Sequence, residues 1–192
     1  MKIVASSILI LLFLPFWVTG QETYRITVSS LVIKGTSNVH KWEAKVNQLS
    51  GSTELIFEGD QLKRLAESKF DIPVKGIKSS KGNTMDNKMY QALKSDACAN
   101  ISFNLSSATL DATGSTLKST GTLTVACASK KIDLVSTLKS TGSGQYLLSG
   151  SVKMKMTDFG IKPPTALLGA MVTGDDITIE YEVNLIKDKS NF

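Results

Sequence analysis

The sequence predicts an all-β fold: a closed antiparallel barrel of about eight strands with one amphipathic helix at about 84–95. Three observations lead there. Apolar residues recur at every second position in some eight to ten short runs, the period of a strand with one buried face. Ser and Thr supply 38 of the residues from Gln21 onward, and Gly-containing turn sequences punctuate the runs. One segment leaves the period of two and takes up the helical period instead.

Taken in order, the chain opens with Lys2, an apolar run from Ile3 to Val18, and the small residues Thr19 and Gly20. This pattern reads as a secretory signal peptide over residues 1–20, cleaved after Gly20. The run is short for a membrane span and carries no flanking basic cluster. Residues 21–192 then suit one soluble domain with a sizeable core, with a net charge of +4 once Lys2 is lost.

Strands are expected at Tyr24-Ile26-Val28, Leu31–Val39, Trp42–Val46, Thr53-Leu55-Phe57 and Phe70-Ile72-Val74. Met85, Met89 and Leu93 then fall four apart with Tyr90 and Ala92 beside them, which makes one helical face. Thr84 is placed to cap that helix, and Asp86 suits the positive end of its dipole. Further strands follow at Ile101-Phe103-Leu105, Leu123-Val125-Cys127, Ile132-Leu134 and Val152-Met154-Met156. A short helical turn is expected over Thr165–Leu168, after Pro163-Pro164. The clearest strand comes last: Ile177, Ile179, Tyr181, Val183 and Leu185 share one face, and Thr178, Glu180, Glu182 and Asn184 the other. Closure removes the sheet edges that so many strands would otherwise expose.

Composition narrows the chemistry. His40 is the one histidine, and Cys98 and Cys127 are the two cysteines. Neither a structural nor a catalytic zinc site can be assembled from them, so no metal and no cofactor are expected. No G-x-S-x-G, G-x-G-x-x-G or phosphate-loop motif occurs. The positive charges are dispersed without aromatic interleaving, which argues against nucleic acid. A hydrolase or isomerase would need an Asp or Glu within reach of His40.

A barrel of this size is either filled by its own side chains or holds a small ligand. The inward set is mostly Val, Ile, Leu and Met. From Gln21 onward there is one tryptophan, Trp42, and only five phenylalanines. Bulky rings to fill the interior are scarce, and composition leaves both a cavity and a packed core open.

The blocks GTSNVHKWEA (35–44), MDNKMYQALKSDACANISFNL (85–105), GTLTVACASKKIDL (121–134) and MTDFGIKPPTALLGAMVTGDDITIEYEVNL (156–185) resemble the YceI-like family. The resemblance implies an exported, periplasmic, lipocalin-like barrel that binds rather than catalyses. Its implied partner is a polyisoprenoid or other long-chain lipid held inside. The alternative is a structural envelope protein whose barrel core is full. Candidate cavity-lining residues are His40, Trp42, Phe57, Phe70, Met85, Met89, Tyr90, Leu93, Ile101, Phe103, Leu123, Val125, Phe159 and Leu168. For each, ordinary core packing is the competing reading. The identity of the lipid, and whether two copies pair as a homodimer, stay open.

Two positions depart from the family pattern. Cys127 stands where a glycine is usual, and Ala99, next to Cys98, where a proline is common. The hairpin between the cysteines should turn near residues 111–115, so facing positions should sum to about 226. Positions 98 and 127 come within one residue of that register. A disulfide between them is expected in an oxidising compartment. Strict alternation would put Cys127 inward and Cys98 outward, so a bulge or an irregular entry near Ala99 is expected to reconcile the two.

Overall fold

A computed structural model describes residues 19–188; apart from Thr19 and Gly20, the expected leader lies outside them. The strands are β1 (Thr19–Ser37), β2 (Lys41–Val46), β3 (Ser50–Glu58), β4 (Gln61–Pro73), β5 (Ile77–Ser79), β6 (Asn100–Leu110), β7 (Thr116–Val125), β8 (Ala128–Gly142), β9 (Gln145–Lys155), β10 (Thr165–Ala166) and β11 (Met171–Lys187). One helix, α1 (Asn83–Ala92), lies between β5 and β6. Eight strands follow one another in the order β11-β9-β8-β7-β6-β4-β3-β1, and β1 pairs with β11 to close the barrel. Every pairing is antiparallel.

The alternation explains which faces turn in. Val183 and Leu185 are buried while Glu180 and Glu182 are exposed, so β11 is apolar inward and polar outward. That polarity is the reverse of a barrel that crosses a bilayer. Nor is any helix among the described residues long and apolar enough to cross one.

Two runs expected as separate strands are one. β1 runs 19 residues, with a register irregularity between Val28 and Ser30. The extra residue resets the phase: Ile26 faces inward before it, and Leu31 and Ile33 after it. β1 then holds β3 along its first half and β2 along its second half, on the same edge. β5 adds to β2 and carries the chain to α1.

The two ends of the barrel differ. At the end holding the β3–β4, β6–β7 and β8–β9 hairpins, Tyr24, Leu55, Leu117 and Leu185 are all at most 2 % exposed and form a sealed floor. At the other end α1 packs beside β5, and β8 and β9 part company. They pair only from Ser136 and Gly150 toward the floor. The turn Met156–Phe159 lies at this parting and contributes buried Met156 and Phe159.

α1 begins differently from the expectation. Gly82, at φ 79°, stands before the first turn, and Thr84 sits inside the helix without capping it. Asp86 does more than complement the dipole. Buried at 4 % exposure, it accepts from the Ser79 amide at 2.7 Å and pairs with Lys78, fixing α1 to β5. The turn expected at Thr165–Leu168 is only partly helical: Thr165 and Ala166 pair with β11, and a tight turn follows over Leu167–Gly169.

Cys98 and Cys127 are joined by a disulfide, with Cα atoms 5.6 Å apart. The register near it is the expected one, Ser102 facing Thr124. The irregular entry, and not a bulge, reconciles them, because neither cysteine is on a strand. Cys98 precedes β6, and Cys127 shares with Ala126 the two-residue turn between β7 and β8. Both turn residues have positive φ, 51° and 65°, as such hairpin turns demand.

Candidate functional site: an apolar cavity beneath the helix

Between the floor and α1 the inward faces enclose a cavity of about 280 Å³. A buried water needs only about 10–15 Å³ by a comparable measure, so these side chains leave the middle of the barrel unfilled. A packed core would have had them meet.

Each wall comes from inward positions of a strand. Phe70 of β4 stacks on Phe103 of β6, with ring centroids 5.2 Å apart and planes 16° apart. Phe103 has room because Gly121 faces it; a side chain there would collide with its ring. Ile101, Leu123 and Val125 continue this wall upward, and Phe159 closes it at the parting of β8 and β9. Met85 and Met89 of α1 and Leu93, the residue just past its last turn, form the roof, spaced as the helical period requires. Their flexible side chains suit a roof over an occupant of variable shape.

His40 and Trp42 stand at the mouth. The Trp42 ring lies across Gly35, its partner on β1, and its indole nitrogen donates to the Thr36 carbonyl at 3.0 Å. The His40 backbone closes a turn with Ser37, and its side chain is exposed.

Three expected lining residues lie elsewhere. Phe57 is partly buried but packs with the floor cluster, beyond the sealed end and so beyond reach of the cavity. Tyr90, a helical step round from Met89, turns toward β5, where its hydroxyl donates to the carbonyls of Ile77 at 2.9 Å and Lys75 at 3.1 Å. It fastens the roof and does not line it. Leu168 is fully exposed, because the tight turn after β10 carries it outward.

Other wall features are not predicted by the sequence. Deep in the cavity Ser136 and Tyr181 join hydroxyls at 2.7 Å. Burial pushes the Tyr181 phenol up, and the Ser136 hydrogen bond offsets part of that rise. At the rim Lys88 is, among the described residues, the one lysine or arginine on the wall, and its ammonium donates to the Thr165 carbonyl at 3.2 Å. No carboxylate lines the cavity among the described residues. Nor, among them, do three His, Cys, Asp or Glu side chains gather where they could hold a metal. The wall therefore offers burial of hydrocarbon, with a few hydroxyls inside and a cation at the mouth.

Comparison with known proteins places this architecture. The YceI-like domain model matches residues 21–185. No curated protein sequence matches the chain. Among solved structures, BcnA of Burkholderia cenocepacia is similar with a TM-score of 0.62 at 16% identity, over 84% of this chain and 95% of that one. The YCEI protein of Campylobacter jejuni gives 0.62 at 21% identity, over 77% and 85%. A polyisoprenoid binding domain from Saccharophagus degradans gives 0.64 at 10% identity, over 85% and 98%. At these identities the structures speak for the fold, while the domain match spans nearly the whole described barrel: the chain belongs to the YceI-like family.

Proposed function

We propose that this protein is an exported, non-enzymatic carrier that holds one long apolar lipid, of polyisoprenoid type, in the barrel cavity. The observation that carries this reading is the unfilled interior: about 280 Å³ walled by Val, Ile, Leu, Met and Phe side chains beneath a methionine-bearing roof. Each CH₂ moved from water into such a space contributes about 0.8 kcal/mol. A chain of modest length therefore offsets the cost of association. The Saccharophagus degradans domain named for polyisoprenoid binding shares the fold, which favours this ligand class. The leader-like residues 1–20 favour export. The Cys98–Cys127 disulfide favours an oxidising compartment such as the periplasm.

Native mass spectrometry of protein purified without detergent, with extraction and identification of any bound lipid, tests the reading. A mass increment matching a prenyl or comparable long-chain lipid is the expected outcome. Protein that is always empty and takes up no added isoprenoid would overturn it.

A further inference from the structure

The loops around the cavity mouth spend stability on something the fold does not need. Leu168 has a left-handed backbone, φ 55° and ψ 32°, where glycine would be unstrained and a leucine is not. Its side chain is nevertheless fully exposed. Two more apolar side chains stand out in the same place: Val39 at 64 % and Val172 at 46 % exposure. The loops are tied together, since the Asn38 side chain donates to the Ala170 carbonyl and accepts from the Val172 amide, both at 2.9 Å. The Asn38 amide also donates to the Val172 carbonyl at 3.1 Å. Hence Val39, Leu168 and Val172 form one greasy rim on a braced platform.

The charges beside them have one sign. Residues 37–41 and 162–174 contain His40, Lys41 and Lys162 and no Asp or Glu. Lys88 joins them from α1, tied to Thr165. Of the carboxylates nearby, Asp175 accepts from Thr157 and Asp158 pairs with Lys130, while Glu43 and Asp176 stand opposite Lys34 and Lys155 in the strand register.

From this we infer that the rim docks on the surface of an anionic phospholipid bilayer, with Leu168, Val39 and Val172 entering the headgroup layer and the lysines meeting lipid phosphates. Exposed apolar side chains set among cations fit an interfacial anchor on anionic lipid. Docked in this way, the mouth of the cavity faces the hydrocarbon. The proposal concerns the rim alone and holds whatever the cavity contains.

Vesicle co-sedimentation of the full mature chain tests it, using phosphatidylcholine vesicles with and without phosphatidylglycerol. Binding is expected only with phosphatidylglycerol present, weakened by salt and reduced about tenfold in Leu168→Ser/Val39→Ser. Near-ultraviolet circular dichroism of the variant verifies that the barrel is intact, and Lys41→Glu/Lys162→Glu gives a second variant that leaves the apolar side chains in place. Equal sedimentation with both vesicle types, or unchanged sedimentation of both variants, would overturn the proposal. So would concentration-dependent self-association lost in Leu168→Ser/Val39→Ser, which would assign the rim to a second copy. Lipid retained in the cavity by protein that ignores vesicles would leave the carrier reading standing and remove this one; empty protein that still sediments would do the opposite.

Discussion

The Tyr181 hydroxyl meets the Ser136 hydroxyl at 2.7 Å by passing over Gly150, the residue paired with both across the sheet. A side chain at position 150 would run into the Tyr181 phenol. One missing Cβ on β9 therefore lets the strands on either side of it, β8 and β11, share a hydrogen bond on the inner wall.

Gly150→Ala is expected to destabilise the protein by about 1–3 kcal/mol, because the tyrosine must be pushed off its partner in a close-packed wall. Tyr181→Phe keeps the shape but leaves the Ser136 hydroxyl, in a residue only 3 % exposed, without its partner, at a similar cost of about 1–3 kcal/mol. Urea unfolding of both variants, with unchanged m-values, checks the pair.

The disulfide staples the segment after α1 to the β7–β8 turn. Replacing both cysteines by serine should lower stability by about 3–4 kcal/mol for a loop of this separation, 29 residues. The loss should fall unevenly, with amide exchange quickening in α1 and residues 93–99 more than at the floor. Pairing Cys98→Ala with Cys127→Gly should recover part of the loss, since glycine accepts the positive φ of position 127 without strain.

Acid should loosen the roof first. Burial pushes the Asp86 carboxyl up, but the Ser79 amide, the Ser79 hydroxyl and Lys78 outweigh it and hold the group below the usual carboxylate value. A depressed folded pKa means stability that is present above the unfolded value near 3.8 and is lost as pH falls through the folded one. Amide exchange of Ser79 and α1 is expected to rise below about pH 4 while β11 stays protected. Asp86→Asn should abolish that acid-linked step and loosen α1 already at neutral pH.

Filling the cavity should separate ligand retention from folding. Leu134 of β8 lines it and is only partly buried, so Leu134→Trp places a ring in open space. We expect little loss of stability and a drop of about tenfold or more in lipid retained by native mass spectrometry. Unaltered retention would mean that the lipid sits elsewhere.

The barrel was legible in the sequence because its signal is periodic. Ile177 to Leu185 alternate without a fault, and that strand forms as expected. What blurred was set by single residues acting across the chain. The bulge at Val28–Ser30 makes one strand read as two. The start of β4 was hidden because Lys63 and Arg64 are adjacent and both exposed, which breaks the expected alternation. Cys127 read as a strand residue since alternation continues past Val125, although the chain had already turned. In the site, helical spacing correctly set Met85, Met89 and Leu93 together. The same spacing gave no hint that Tyr90 would spend its hydroxyl on β5, or where along the barrel the floor would cut Phe57 off from the cavity. The Ser136–Tyr181 pair lies 45 residues apart in sequence, and only the glycine inside strand β9 marked a close approach there.

The floor of Tyr24, Leu55, Leu117 and Leu185 makes the barrel a blind alley. A thread drawn into it has no far door to slip through and must retreat along its whole length past α1. If the proposed lipid is what enters, each added length of chain draws out the exit, so unloading should slow with chain length and cargo would be sorted by dwell time as well as by fit.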